Sequence, residues 1–423
     1  MRRTLRSLVV VLVVLAIAWL FWPSSPDTGR PEYFSDQTYN FETMRVFDDT
    51  AVAGGDHNEA AQAIRGITAG DGVGWYTAWK AAGDRATLLA SRTQDPIGKG
   101  NALLRAHVYY RSAEFFLDPA DSRRPALWKQ NVDSFYSGLD TLGVRYERFA
   151  IPYGDQHHLN AVYYPGPAGS ENRPLLVAIT GYDGTMEELY ASVVATALQH
   201  GYAVLTYEGP GQGSVIRDQH LPFQPDWEKP NGAVLDAFLA QHPKPPHIVL
   251  IGESMGGYLA PRAAAFDPRL DGVVAYDVFY DGYAVATRHV PPWVISLHEH
   301  GHEQSLQFLA RHAKGDPGSQ WAQANGEWVL GVSDPFALID AFKAYRLAPV
   351  ADRIKSDVLI LAGADDHFVP PEQMDQFSKS LTQAHSVTAI MFDRVSGGAQ
   401  HCQLGAPSLW HAALFDWLKA KFP

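Results

Sequence analysis

Apolar positions recur along this chain in three successive registers, and each predicts a different kind of element. The first is continuous: Leu8 to Trp22 is an uncharged apolar run directly behind MRRTLR. From about Asn58 to Leu142 the spacing becomes helical, with Trp75, Trp79 and Leu88 to Leu89 in one stretch and HVYYRSAEFFL, His107 to Leu117, in another. Beyond Leu142 the period changes to two in VRYERFAI and LNAVYYP. Short apolar blocks bounded by Gly, Pro or Asp follow: PLLVAITG, AVLTYEG, HIVLIG, GVVAYDV, DVLILAG and VTAIMFD. Helix-length segments such as Glu187 to His200 and Gly257 to Ala265 separate most of them. That alternation predicts an α/β fold whose mostly parallel sheet is covered on both faces. One interval, between GVVAYDV and DVLILAG, runs to about eighty residues and is expected to be an inserted helical lid. The resulting division is a signal-anchor and linker over 1–30, a helical module over 31–143, and an α/β domain over 144–423 with the lid at about 279–350.

Charge and composition narrow the partners. The 423 residues carry a formal charge of -12, and beyond the N-terminus no Lys/Arg-rich run occurs, which argues against nucleic acid. The N-terminus itself, with Arg2, Arg3 and Arg6 ahead of the apolar run, reads as an export signal. Trp19 to Trp22 continue the run past the small-x-small site Ala16-Ile17-Ala18, which favours an uncleaved membrane anchor over cleavage and secretion. The positive-inside rule then places the remainder outside the cytoplasm. Cys402 is the single cysteine, so stability there rests on the core.

The chemistry centres on IVLIGESMGGYLA, in which Gly252-Glu253-Ser254-Met255-Gly256 fits G-x-S-x-G. With 36 glycines the pentapeptide alone is weak. Its setting strengthens it: HIVLIG reads as a buried strand and Gly257 to Ala260 opens a helix, so Ser254 falls on a sharp strand-to-helix turn. A serine hydroxyl is inert at neutral pH without a base, and the base needs an orienting carboxylate. Both follow in order. Asp365 and Asp366 lie just beyond DVLILAG, and His401 lies beyond VTAIMFD in RVSGGAQHCQLG.

Several segments together resemble the α/β-hydrolase superfamily, and within it the branch that includes 2,6-dihydropseudooxynicotine hydrolase and fungal polyketide-shortening hydrolases. They are GWYTAW, YYRSAEFFL, TGYDGTMEE, YEGPGQG, GESMGG, GADDHFVP and AQHCQLGA, from Gly74 to near the C-terminus. The resemblance implies an α/β-hydrolase fold and a Ser254–Asp366–His401 triad. Asp366 is selected over Asp365 because the family's acid stands four residues before the loop proline, here Pro370. It also implies an oxyanion hole from the backbone amides of Met255 and Tyr182. No cofactor or metal is called for, and GPGQG is a structural turn rather than a phosphate loop. The expected substrate is a bulky small-molecule carbonyl compound cleaved at an ester or β-dicarbonyl C–C bond; a serine peptidase is the runner-up. Oligomeric state is left open, a homodimer included.

Other residues carry competing readings. His298-Glu299-His300-Gly301-His302 spells H-E-x-x-H and would make a zinc hydrolase if helical, although Gly301 disfavours a helix there. A binding protein that keeps the fold without catalysis is a further reading. Cys402, beside His401, is expected to pack with its side chain turned away from the imidazole. Trp75, Tyr76, Trp79, Tyr109 and Tyr110 are expected to be helix core, or else one wall of a substrate pocket. Asp277 and Asp281, after the sixth strand, are expected to bond within loops, or else to touch substrate.

Overall fold

The computed structural model describes residues 32–302 and 315–423. The apolar run Leu8 to Trp22 and its arginines lie outside them; among the described residues no helix is long and apolar enough to cross a membrane.

Five helices come first: α1 Gln37–Ala51, α2 His57–Ile64, α3 Gly72–Arg92, α4 Pro96–Glu114 and α5 Arg124–Leu142. Asp36, Asp71 and Asp95 cap α1, α3 and α4 by accepting from free N–H groups of the first turn, and left-handed Gly143 closes α5. Trp75, Trp79, Tyr109 and Tyr110 are buried between these helices, and the Trp75 indole N–H donates to the Ser112 carbonyl at 2.7 Å. They are core rather than pocket wall. Tyr76 is half-buried under the Arg123 guanidinium.

Eight strands form one sheet in the order β1-β2-β4-β3-β5-β6-β7-β8. They are β1 Glu147–Tyr153, β2 His157–Tyr164, β3 Leu175–Ile179, β4 Val204–Glu208, β5 Ile248–Glu253, β6 Gly272–Tyr276, β7 Asp357–Gly363 and β8 Ser386–Phe392. β2 pairs antiparallel with β1 and with β4; all other pairings are parallel. Every residue of β3, β4, β6 and β7 is buried, which is why β3 and β6 read as unbroken apolar runs and β4 and β7 as largely apolar ones. β8, at the edge, alternates exposure residue by residue until its buried last residue. Helices cover both faces: α6 Ala195–Gln199, α7 Gly213–Gln219, α8 Glu228–Gln241, α9 Gly256–Ala264, α14 Gln373–Ser380 and α15 Pro407–Lys421.

The long interval between β6 and β7 is helical, as its length suggests. Its described helices are α10 Gly282–Thr287, α11 Pro292–Glu299, α12 Pro317–Leu330 and α13 Pro335–Phe342. Three of the four have proline in the first turn, where the missing N–H costs nothing.

Candidate active site

The carboxyl ends of parallel strands leave loops free to carry side chains, and three such loops meet here. The turn from β5 to α9 holds Ser254 at φ 58, in the left-handed region that a non-glycine residue seldom occupies. Packing enforces it. A Cβ on Gly252 would overlap the Gly256 carbonyl oxygen, so the strand can reverse into α9 this tightly only with glycine there. The Ser254 amide donates to the Tyr276 carbonyl of β6 at 2.5 Å, which fixes the turn to its neighbour.

His401 Nε2 lies 2.8 Å from Ser254 Oγ, and His401 Nδ1 lies 2.6 Å from Asp366 Oδ2. The other Asp366 oxygen accepts from the Phe368 and Val369 amides at 2.7 and 2.9 Å, so the carboxylate cannot swing away. Asp365, the competing acid, is instead held by the Arg394 guanidinium. Burial opposes charge on both His401 and Asp366, which are each 3% exposed, but their mutual attraction wins. The imidazole is held well above the ordinary histidine range and the carboxyl below the carboxylate range.

Asp277 is the residue whose place the sequence left most open. It lies fully buried beneath the His401 loop, accepting from the Cys402 amide at 2.9 Å and the Gln403 side chain at 3.2 Å, with its carboxylate 3.7 Å from His401 Nδ1. Burial and the nearby Asp366 charge push its carboxyl up to about 7. Asp281 accepts from the Ala284 amide as the cap of α10 and pairs with Arg346.

Cys402 corrects one expectation. Its ligand atom lies within 4.8 Å of those of Asp277 and His401, so the thiol does not turn away from the imidazole. The reason is local: at φ 51 the residue is left-handed, and the opposite-face rule of extended chain does not hold. These three groups have metal-ligand proximity, yet both His401 nitrogens are already engaged by Asp366 and Ser254, leaving no lone pair for a cation. The H-E-x-x-H face does not form either. α11 ends at Glu299, Gly301 takes φ 74, and His298 pairs with Asp340 at 3.0 Å.

The Met255 and Tyr182 amides both border this turn. Neither donates to a protein group among the described residues, and a Cβ on Gly181 would lie 2.7 Å from the Met255 nitrogen. The loop therefore runs directly over the start of α9. Gln212, from the YEGPGQG turn, donates to the Thr180 and Gly181 carbonyls at 2.7 and 3.3 Å and accepts from the Gly209 amide. Spacing gave no sign of this clamp; the glycines drew attention to the turn and the glutamine between them does the holding. A cavity of about 280 Å³ opens nearby, walled by Tyr39, Phe115, Phe116 and Trp321, with Arg124 and Asn325 supplying polar groups. Ser254, His401 and Asp366 do not line it; Asn325 links it to the loop by donating to the Tyr182 carbonyl at 3.3 Å.

The chain belongs to the alpha/beta hydrolase family, whose pattern matches residues 176–407. Among its relatives, a hydrolase of Aspergillus aculeatus is 30% identical, covering 92% of this chain and 98% of that protein. The 20-hydroxy-prefusarin hydrolase of Gibberella moniliformis is 30% identical over 92% of this chain and 97% of its own. Among solved structures, 2,6-dihydroxy-pseudo-oxynicotine hydrolase shares the fold with a TM-score of 0.68 at 20% identity, covering 88% of this chain and 94% of that one. The resemblance seen in the sequence holds and extends upstream of Gly74. This protein is a hydrolase.

Proposed function

We propose that the protein is a serine hydrolase that cleaves an ester or a β-dicarbonyl C–C bond of a bulky small molecule through an acyl-enzyme. The observation that carries this reading is the hydrogen-bonded line from Ser254 through His401 to Asp366. His401 takes the Ser254 proton as the oxygen attacks the carbonyl carbon, and Asp366 orients the ring and stabilises the imidazolium. The Met255 and Tyr182 amides receive the charge that develops on the carbonyl oxygen. Collapse expels an alcohol, or a stabilised carbanion that His401 protonates, and leaves the acyl group on Ser254. Water deprotonated by His401 then releases the acid and restores the serine.

The 20-hydroxy-prefusarin hydrolase among the relatives supports a small molecule as substrate. The run Leu8 to Trp22 behind Arg2, Arg3 and Arg6 supports an extracytoplasmic site of action, anchored to the membrane; the N-terminus of the mature protein tests this.

A fluorophosphonate probe, which labels activated serines, tests the reaction class. Wild type is expected to label and to turn over p-nitrophenyl esters, and Ser254→Ala to do neither. Labelling that persists in folded Ser254→Ala would refute the assignment.

A further inference from the structure

The loop Thr180 to Thr185 is held from two directions outside the sheet. On one side stand the N-terminal helices. Arg45 of α1 and Arg111 of α4 both reach Asp183 Oδ2, at 2.7 and 2.8 Å, and both reach Glu188, each at 2.8 Å. Arg111 also donates to the Asp183 carbonyl at 3.2 Å. Glu188 returns to the loop through a reciprocal pair, accepting from the Thr185 amide while its own amide donates to the Thr185 hydroxyl. On the other side stands α12 of the lid. The Tyr182 hydroxyl donates to the Ala322 carbonyl at 2.7 Å, and Asn325 donates to the Tyr182 carbonyl. The phenol fits because residue 326 is glycine: a Cβ there would overlap its oxygen. Tyr182 and Asp183 are thus pinned at side chain and carbonyl alike, and the Tyr182 amide donates to no protein group among the described residues.

We propose that the Tyr182 side chain, Asn325, Arg45 and Arg111 are positioning residues that aim the Tyr182 amide at the developing oxyanion, so that the helical region and the lid set the transition-state stabilisation of a site built on the sheet. The inference rests on the serine-hydrolase reading above. An oxyanion donor acts only where its N–H points at the place the charge will occupy, and a shift of about 1 Å can cost about 10²-fold in rate. Arginines bonded to two carboxylates, and a lid helix bonded to the phenol, resist such a shift.

Tyr182→Phe is the sharpest test, since it keeps the amide and the ring and removes one hydroxyl. The expected result is a fall in kcat of about 10-fold to 10²-fold with KM near wild type. The affinity of a trifluoromethyl ketone, which mimics the tetrahedral intermediate, is expected to fall by the same factor. Arg111→Gln should behave alike and Arg111→Lys should recover part of the loss, because lysine keeps the charge without the forked pair of bonds. Unchanged kcat, or lowered kcat with undiminished affinity for the ketone, would overturn the inference. Ser254→Ala run in parallel separates the two levels: labelling that survives there removes the underlying reading and this inference with it, whereas labelling lost there with Tyr182→Phe unaffected removes the inference alone.

Discussion

Asp366 and Asp277 both place a carboxylate oxygen near one imidazole nitrogen, and their surroundings set them apart. Asp366, bonded to His401 at 2.6 Å, is driven to the charged form, whereas burial and Asp366 itself favour the proton on Asp277. In the proposed reaction Asp366 orients the base, whereas Asp277 holds the loop that carries it. Asp366→Asn is therefore expected to lower kcat by about 10⁴-fold, and Asp277→Asn by much less. The pH profile carries the same logic. His401 must lose its proton to act as a base, and Asp366 raises its pKa, so kcat/KM should climb with pH along a limb lying above the ordinary histidine value of 6.5. Asp366→Asn removes the strongest influence that raises the imidazole while burial still opposes its charge, so the limb should move down. A wild-type limb at or below 6.5 would contradict the coupling.

At the scale of elements, the strands and the three site loops were legible because each is a local pattern. The buried blocks of β3 to β7 announce themselves by their largely apolar runs, and the order Ser254, Asp366, His401 follows the strands that carry them. What was not legible is long-range and charged. Arg45 and Asp183 are 138 residues apart, Arg111 and Asp183 72 apart, and a charge on a helix reads from sequence as a solvated face. Only packing reveals that these groups are enclosed. Asp277 was expected to bond within loops, and it does; what its strand-end position could not show is its burial, set by the loop after β8 that folds over it. The buried pair Glu187 and Glu208 shows a cost of such enclosure. Burial, with repulsion from Glu208, lifts the Glu187 carboxyl to about 8. Because the folded form holds this proton more tightly than the unfolded chain, stability should fall as pH rises from about 4.5 to about 8. Glu187→Gln is expected to raise Tm at pH 8.5 and to change it little at pH 5; a uniform shift across pH would mean that the carboxyl is not the cause.

For the molecule as a whole, three structural parts converge on the Ser254 turn and the loop beside it. The loops of the sheet carry Ser254, His401 and Asp366; the N-terminal helices hold the Tyr182–Asp183 loop through Arg45 and Arg111; the lid holds it through Ala322 and Asn325. The central claim is that this assembly makes Ser254 a transient acyl carrier. Acid-quenched turnover of a p-nitrophenyl ester, followed by peptide mass analysis, measures that directly. The account expects the acyl mass on the peptide containing Ser254 during the steady state, and its absence in Ser254→Ala. Undiminished turnover with no acyl adduct, or an adduct carried by Cys402 instead, would contradict it.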